Sequence, residues 1–102
     1  MVMDYHRSEK YKTLREALFS ALEAEGNLTP VTSDKVEEYM DFWVQRQQLR
    51  EDVGRRGLIV TDERGRTMEN RSVSLGVQVA RQMMEILRLL DVVKTVEEVD
   101  EL

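Results

Sequence analysis

Apolar positions along this chain fall into three stretches of helical spacing, with one short β-type interruption. From Ser8 onward, Tyr11, Leu14, Leu18, Ala21 and Leu22 step by three and four, while Lys10, Arg15, Glu16 and Glu23 take the other side. That spacing predicts an amphipathic helix of about four turns, capped by Ser8 and ended by Gly26-Asn27, which tolerate left-handed backbone. Met1 to Arg7 has no periodicity and reads as a frayed lead-in. A second helix begins between Thr29 and Ser33. Either Thr29 caps it with Pro30 in the first helical position, or Ser33 caps it with Asp34 and Glu37 near the positive end of the helix dipole. Val36, Tyr39, Met40 and Trp43 define its buried face, and Leu49 and Val53 continue that face with a drift in phase. Such a drift predicts a helix that crosses more than one partner, its polar far half (Gln45 to Glu51) projecting from the core. Tyr39 and Trp43 have the faces to stack on a base or small ligand, but aromatics at helical spacing among aliphatics read as core.

The pattern changes at Gly57, the expected stop of the second helix. Leu58-Ile59-Val60 is strand-like, and Asp62-Glu63-Arg64-Gly65 has the chemistry of a hairpin turn, with Gly65 supplying a positive φ. A returning strand around Arg66 to Glu69 leads to Asn70, a good N-cap. A long helix then runs to Leu90 with two apolar lines. Val73, Val77, Ala80, Met84, Leu87 and Leu90 form one, assigned to the subunit's own core; Leu75, Val79, Met83, Ile86 and Leu89 form the other, assigned to an oligomer interface. So wide an apolar surface is hard to cover within a small chain, hence the expectation of a neighbour. Beyond it, residues 91–102 mix valines with acids and read as a flexible acidic tail that orders on a partner, with a short helix capped by Thr95 as the alternative. The fold class is thus mainly α: two N-terminal helices, a short β-hairpin and a long C-terminal helix in a single domain, assembling as an oligomer.

Composition narrows the function. The 102 residues are 34% charged and 41% hydrophobic with one proline, which suits a globular helical chain. There is no cysteine, so neither a disulfide frame nor a thiolate metal site is available, and a reducing cytoplasm is the expected location. No apolar run has the length of a membrane span, so no membrane partner is expected. The net charge of −5 is unevenly distributed: residues 46–71 contain seven basic side chains, all arginine, against five acids. Arginine suits planar recognition of phosphate better than lysine does. Arg55, Arg56, Arg64, Arg66 and Arg71 are therefore candidate DNA contacts. The competing reading pairs the arginines with Glu51, Asp52, Asp62 and Glu69 as solvated surface ions.

Enzyme chemistry finds no support. The glycines at 54, 57 and 65 lack a following Gly-Lys-Ser/Thr, so no phosphate loop is present. The single histidine, His6, has no cysteine or second imidazole to join it on a metal or in a nucleophilic pair. Carboxylate pairs such as Glu37 and Asp41 alternate with lysine and glutamine on a wet face. No catalytic residue, cofactor or metal is expected.

Leu28-Thr29, Asp34, Tyr39 and Trp43, then Gly57 to Val60 with its turn, Asn70, and the helix ending Leu87-Leu90-Asp91-Val92 resemble the small terminase subunits of tailed bacteriophages, in particular those of the P27 family. The resemblance spans about residues 28–92; family members commonly have proline after that asparagine, where this chain has Arg71. It implies a non-enzymatic homo-oligomer, a ring in such systems, that recognises double-stranded viral DNA and brings in the terminase large subunit with its ATPase and nuclease. Two alternatives remain open on the residues themselves: an oligomeric interaction adaptor without DNA binding, and a small helix-turn-helix regulator.

Overall fold

The computed structural model describes residues 4–91, ordered as a 3-10 turn (Tyr5–Arg7), α1 (Glu9–Ala24), α2 (Pro30–Arg56), β1 (Ile59–Thr61), β2 (Thr67–Glu69) and α3 (Arg71–Leu90). The mainly helical architecture with one small antiparallel sheet agrees with the sequence reading. The expected acidic tail lies outside the described residues beyond Asp91.

Local chemistry accounts for the boundaries. The Ser8 hydroxyl oxygen accepts from the Tyr11 amide at 3.1 Å and opens α1. At α2 the choice falls on Thr29: its side chain accepts from the Thr32 amide, Thr32 reciprocates on the Thr29 amide, and Pro30 occupies the first turn. Gly57 closes α2 with φ 84°, a left-handed backbone that favours glycine, while its amide still reaches the Val53 carbonyl at 2.7 Å. The strands pair antiparallel, Ile59 with Glu69, Val60 with Met68 and Thr61 with Thr67. Each is only three residues long and mostly exposed, so the hairpin gains almost nothing from burial.

The core lies at the opposite end of the molecule. Leu14, Leu18 and Leu22 of α1 meet Val36, Met40 and Trp43 of α2 and Met83, Ile86 and Leu90 of α3. Trp43 is buried, with Tyr5 edge-on at 6.3 Å and Tyr11 tilted at 5.8 Å between ring centroids. This bears out the core reading of the aromatic pair and corrects the lead-in. Tyr5 begins an ordered turn, packs on Trp43, and donates its hydroxyl to Glu51 at 2.6 Å. That bond to a carboxylate raises the Tyr5 pKa above its ordinary value. Beyond the core, α2 and α3 continue side by side as a stem with the hairpin at its far end. The dimensions, 57 × 25 × 24 Å, and a radius of gyration of 16.2 Å describe a rod, against about 13 Å for a compact chain of this length.

One assignment from the sequence is reversed. Val79, Met83 and Ile86, expected to face a neighbour, are buried in the chain's own core together with Leu87 and Leu90. Val77 and Met84, expected inside, are about half exposed, and Val73 and Ala80 are half-buried. Leu75 is half-buried and Leu89 exposed. Both lines are equally apolar, so periodicity within α3 does not choose between them. The rotation of α3 is set where it meets α1 and α2, and by the polar anchor at its first turn. The exchange has a measurable consequence. Met83→Ala opens a void at a position only 4% exposed and costs about 2–5 kcal/mol, whereas Met84→Ala costs less than about 1 kcal/mol. Urea unfolding of the two variants distinguishes them; equal losses would contradict this rotation.

Candidate nucleic-acid interface

The turn at the tip is built by one side chain. Asp62 Oδ1 accepts from the amides of Arg64 and Arg66 at 2.9 and 2.8 Å, and its Oδ2 accepts from Arg66 Nε at 2.9 Å. The Gly65 amide donates to the Asp62 carbonyl with φ 79°, the positive φ expected there. The backbone amide of Arg66, then that of Arg64, holds the Asp62 carboxylate below its usual pKa. Arg66 is thus neutralised locally, while the Arg64 guanidinium has no ion-pair partner among the described residues.

The base of the hairpin is a polar knot that sequence reasoning did not single out. Asn70 has no solvent exposure. Its amide nitrogen donates to the Gly57 carbonyl at 2.9 Å and to Asp52 Oδ2 at 3.2 Å. Its side-chain oxygen accepts from the Ser72 amide at 3.0 Å, the expected N-cap bond, and from Arg56 Nη2 at 3.2 Å. Its own backbone amide reaches the Leu58 carbonyl at 2.7 Å. One side chain therefore ties the end of α2, the entry to β1 and the start of α3.

Asp52 is the knot's charge. Arg56 grips it with two parallel bonds of 2.8 and 2.7 Å, the Ser72 hydroxyl donates at 2.7 Å, and Arg55 adds one at 3.1 Å. With its side chain 16% exposed, the carboxylate is partly desolvated, which alone would raise its pKa. The bonds from Arg56, then Ser72, Asn70 and Arg55, outweigh that and pull it far below the carboxylate range. Arg56 is correspondingly shifted up by Asp52. The signal in the sequence was present but generic: an acid four residues before an arginine on a helix.

The five expected contacts therefore fall into two groups. Arg55 and Arg56 share Asp52 at the end of α2, and Arg71 opens α3 beside the knot with no ion-pair partner among the described residues. Arg64 and Arg66 stand at the tip, one strand length of about 10 Å away. Glu63 and Glu69 are exposed on the same hairpin. Arg55, Arg56 and Arg66 pair with acids, though Asp52 is partly desolvated rather than a solvated surface ion, which leaves Arg64 and Arg71 as the unpaired cations of the five among the described residues. Of the acids expected to pair with arginine, Asp52 and Asp62 do so, whereas Glu51 takes the Tyr5 hydroxyl instead.

Two predictions follow from the knot. Asn70→Ala removes the cap and leaves the Gly57 carbonyl and Ser72 amide unpaired, at a cost of about 1–3 kcal/mol. Chemical denaturation at neutral pH measures it; a neutral effect would mean water replaces the side chain. For pH, the folded-state pKa of Asp52 lies below its ordinary 3.8, so its stabilisation is full above that value and lost as pH falls toward the folded value. Asp52→Asn should be the less stable protein at pH 7, and its deficit should shrink steadily below about pH 4. A deficit that is constant with pH would show that the charge is not what stabilises the knot.

Residues 12–92 match the family described as phage terminase, small subunit. The match does not resolve the P27 subset. No curated protein and no solved structure matches the chain. Covering most of the sequence, from the first turn of α1 to the end of α3, the match places this chain in the phage terminase small subunit family.

Proposed function

We propose that this chain is the DNA-recognition and motor-recruiting component of a phage or prophage packaging machine, acting in the bacterial cytoplasm as a homo-oligomer, a ring of copies around one axis. Terminase small subunits generally bind DNA and the large subunit, and the family is generally non-catalytic. The observation that supports the reading most directly is the hairpin. It stands clear of the core and has Arg64 at its tip and Arg71 at its base, both exposed and free of ion pairs among the described residues. Repeated around an oligomer, such arginines make a positive belt whatever the net charge of the chain, because the local field guides a phosphate backbone. Phosphate contacts of this kind position DNA without reading its sequence, so specificity would rest on groove shape or a few base edges.

The exposed apolar side chains favour self-association. Leu58 and Ile59 at the hairpin, with Val77, Met84 and Leu89 on α3, are more apolar surface than a small monomer usually leaves open. The adaptor reading keeps one specific support: Arg55, Arg56 and Arg66 are already engaged by Asp52 and Asp62. A helix-turn-helix has less, since α2 and α3 are joined by a hairpin rather than a tight turn.

Binding to duplex DNA decides between the first two. Arg64→Glu with Arg71→Glu should lower affinity at least tenfold near 0.1 M salt and flatten the salt dependence, each lost phosphate contact removing about 0.9 from the log–log slope. Arg66→Ala should do less. Unchanged affinity and slope, with the mass by light scattering also unchanged, would favour the adaptor.

A further inference from the structure

The seam between α2 and α3 opens into an apolar groove along the stem. Leu49 of α2 and Val73 and Val77 of α3 line it, together with Arg46 and Arg50. Neither arginine has an ion-pair partner among the described residues. Gly54 and Gly76 line the same groove from the two helices, and a Cβ added at either would meet nothing within 4 Å. Glycine inside a helix costs stability relative to alanine, and no other described part of the chain fills the space it leaves. The groove is open to close approach from outside, and its charge suits an apolar occupant with acidic margins.

A surface of that kind lies toward the other end of the same rod. Leu28 and Val31, at the turn from α1 into α2, are 41% and 71% exposed. Glu23, Glu25 and Asp34 flank them in sequence, exposed and without ion pairs among the described residues. Val31 and Asp34 are neighbours on one face of α2. This turn cannot reach the groove of its own copy. Pro30 and Arg46 are sixteen residues apart on one continuous helix, about 24 Å. Two grooves set face to face would bring four unpaired arginines together, a repulsive arrangement. Apolar exposure and charge therefore match the groove of one copy to the turn of another.

We propose that the α1–α2 turn of one copy seats in the α2–α3 groove of the next, its acids against Arg46 and Arg50. Because the two patches differ, each copy gives one contact and accepts one. Such contacts build closed rings or open helices rather than two-fold pairs. This pairing rests on the homo-oligomer reading above, whose meeting surfaces it names, and does not depend on DNA binding.

Mixing two blocked variants of the full-length chain tests the pairing. Gly76→Leu fills the groove where a Cβ has room and gains helix propensity, so its urea midpoint should be at or above that of wild type. Val31→Arg alters only an exposed side chain. Light scattering should give the wild-type chain a mass of several copies. Each variant alone, losing the burial of an apolar side chain, should stay monomeric to roughly tenfold higher concentration or beyond. An equimolar mixture should stop at two copies, because it holds one intact groove for one intact turn. Glu25→Arg with Asp34→Arg should also dissociate the chain, and adding Arg46→Glu and Arg50→Glu should restore assembly; this swap carries the test should Gly76→Leu unfold. A wild type that is monomeric throughout would overturn the self-association reading and this pairing with it. A multi-copy wild type would overturn the pairing alone if either blocked variant keeps its mass, if the mixture stays monomeric, or if the charge swap does not reassemble.

Discussion

A fully buried asparagine side chain fixes the relation between the two halves of this molecule. Without Asn70 the hairpin would be two strands of three residues with no core to rest on, a unit too small to hold itself together in water. The side chain joins three backbone segments at once and is itself anchored by the Asp52 carboxylate, which Arg56 and Ser72 hold in place. Hydrogen bonds around a partly desolvated charge are stronger than the same bonds in water, and leaving any of them unmade is costly. The far end of the rod is therefore specified by polar chemistry, whereas the near end is specified by burial of leucine, methionine and tryptophan.

This division assigns different work to similar-looking residues. Arg55 and Arg56 belong to the knot, and Arg66 belongs to the turn through Asp62. Arg64 and Arg71 have no such duty among the described residues and are exposed. The core anchors one end of α2, and the Asn70 knot joins the hairpin to the other. In the proposed packaging role, this stem is what would present the arginine-bearing tip to DNA, once per copy.

Much of the fold was legible because local chemistry and periodicity agree. Ser8, Thr29 with Pro30, Gly57, the Asp62–Gly65 turn and Asn70 all act where their side chains or backbone freedom suggested. Three features escaped for identifiable reasons. Tyr5 gains its order only from Trp43 and Glu51, partners distant in sequence. The core line of α3 is one of two equally apolar lines, and the choice is made by the helices it meets. Asp52 reads as one more surface acid until Asn70 and Ser72 arrive beside it through the hairpin. Of the candidate site, the arginines were legible as a basic stretch, but their sorting into engaged and unpaired cations required the geometry.

Amide hydrogen exchange tests the central claim, that the Asn70 knot rather than burial holds the hairpin to the stem. In the wild-type chain the amides of Asn70, Ser72 and the paired strands should be protected well above unfolded rates. In Asn70→Ala, protection should collapse across the hairpin and the first turn of α3 while amides around Leu18, Met40 and Met83 stay protected. Hairpin amides that keep their protection in the variant, or that never have any in the wild type, would contradict the account.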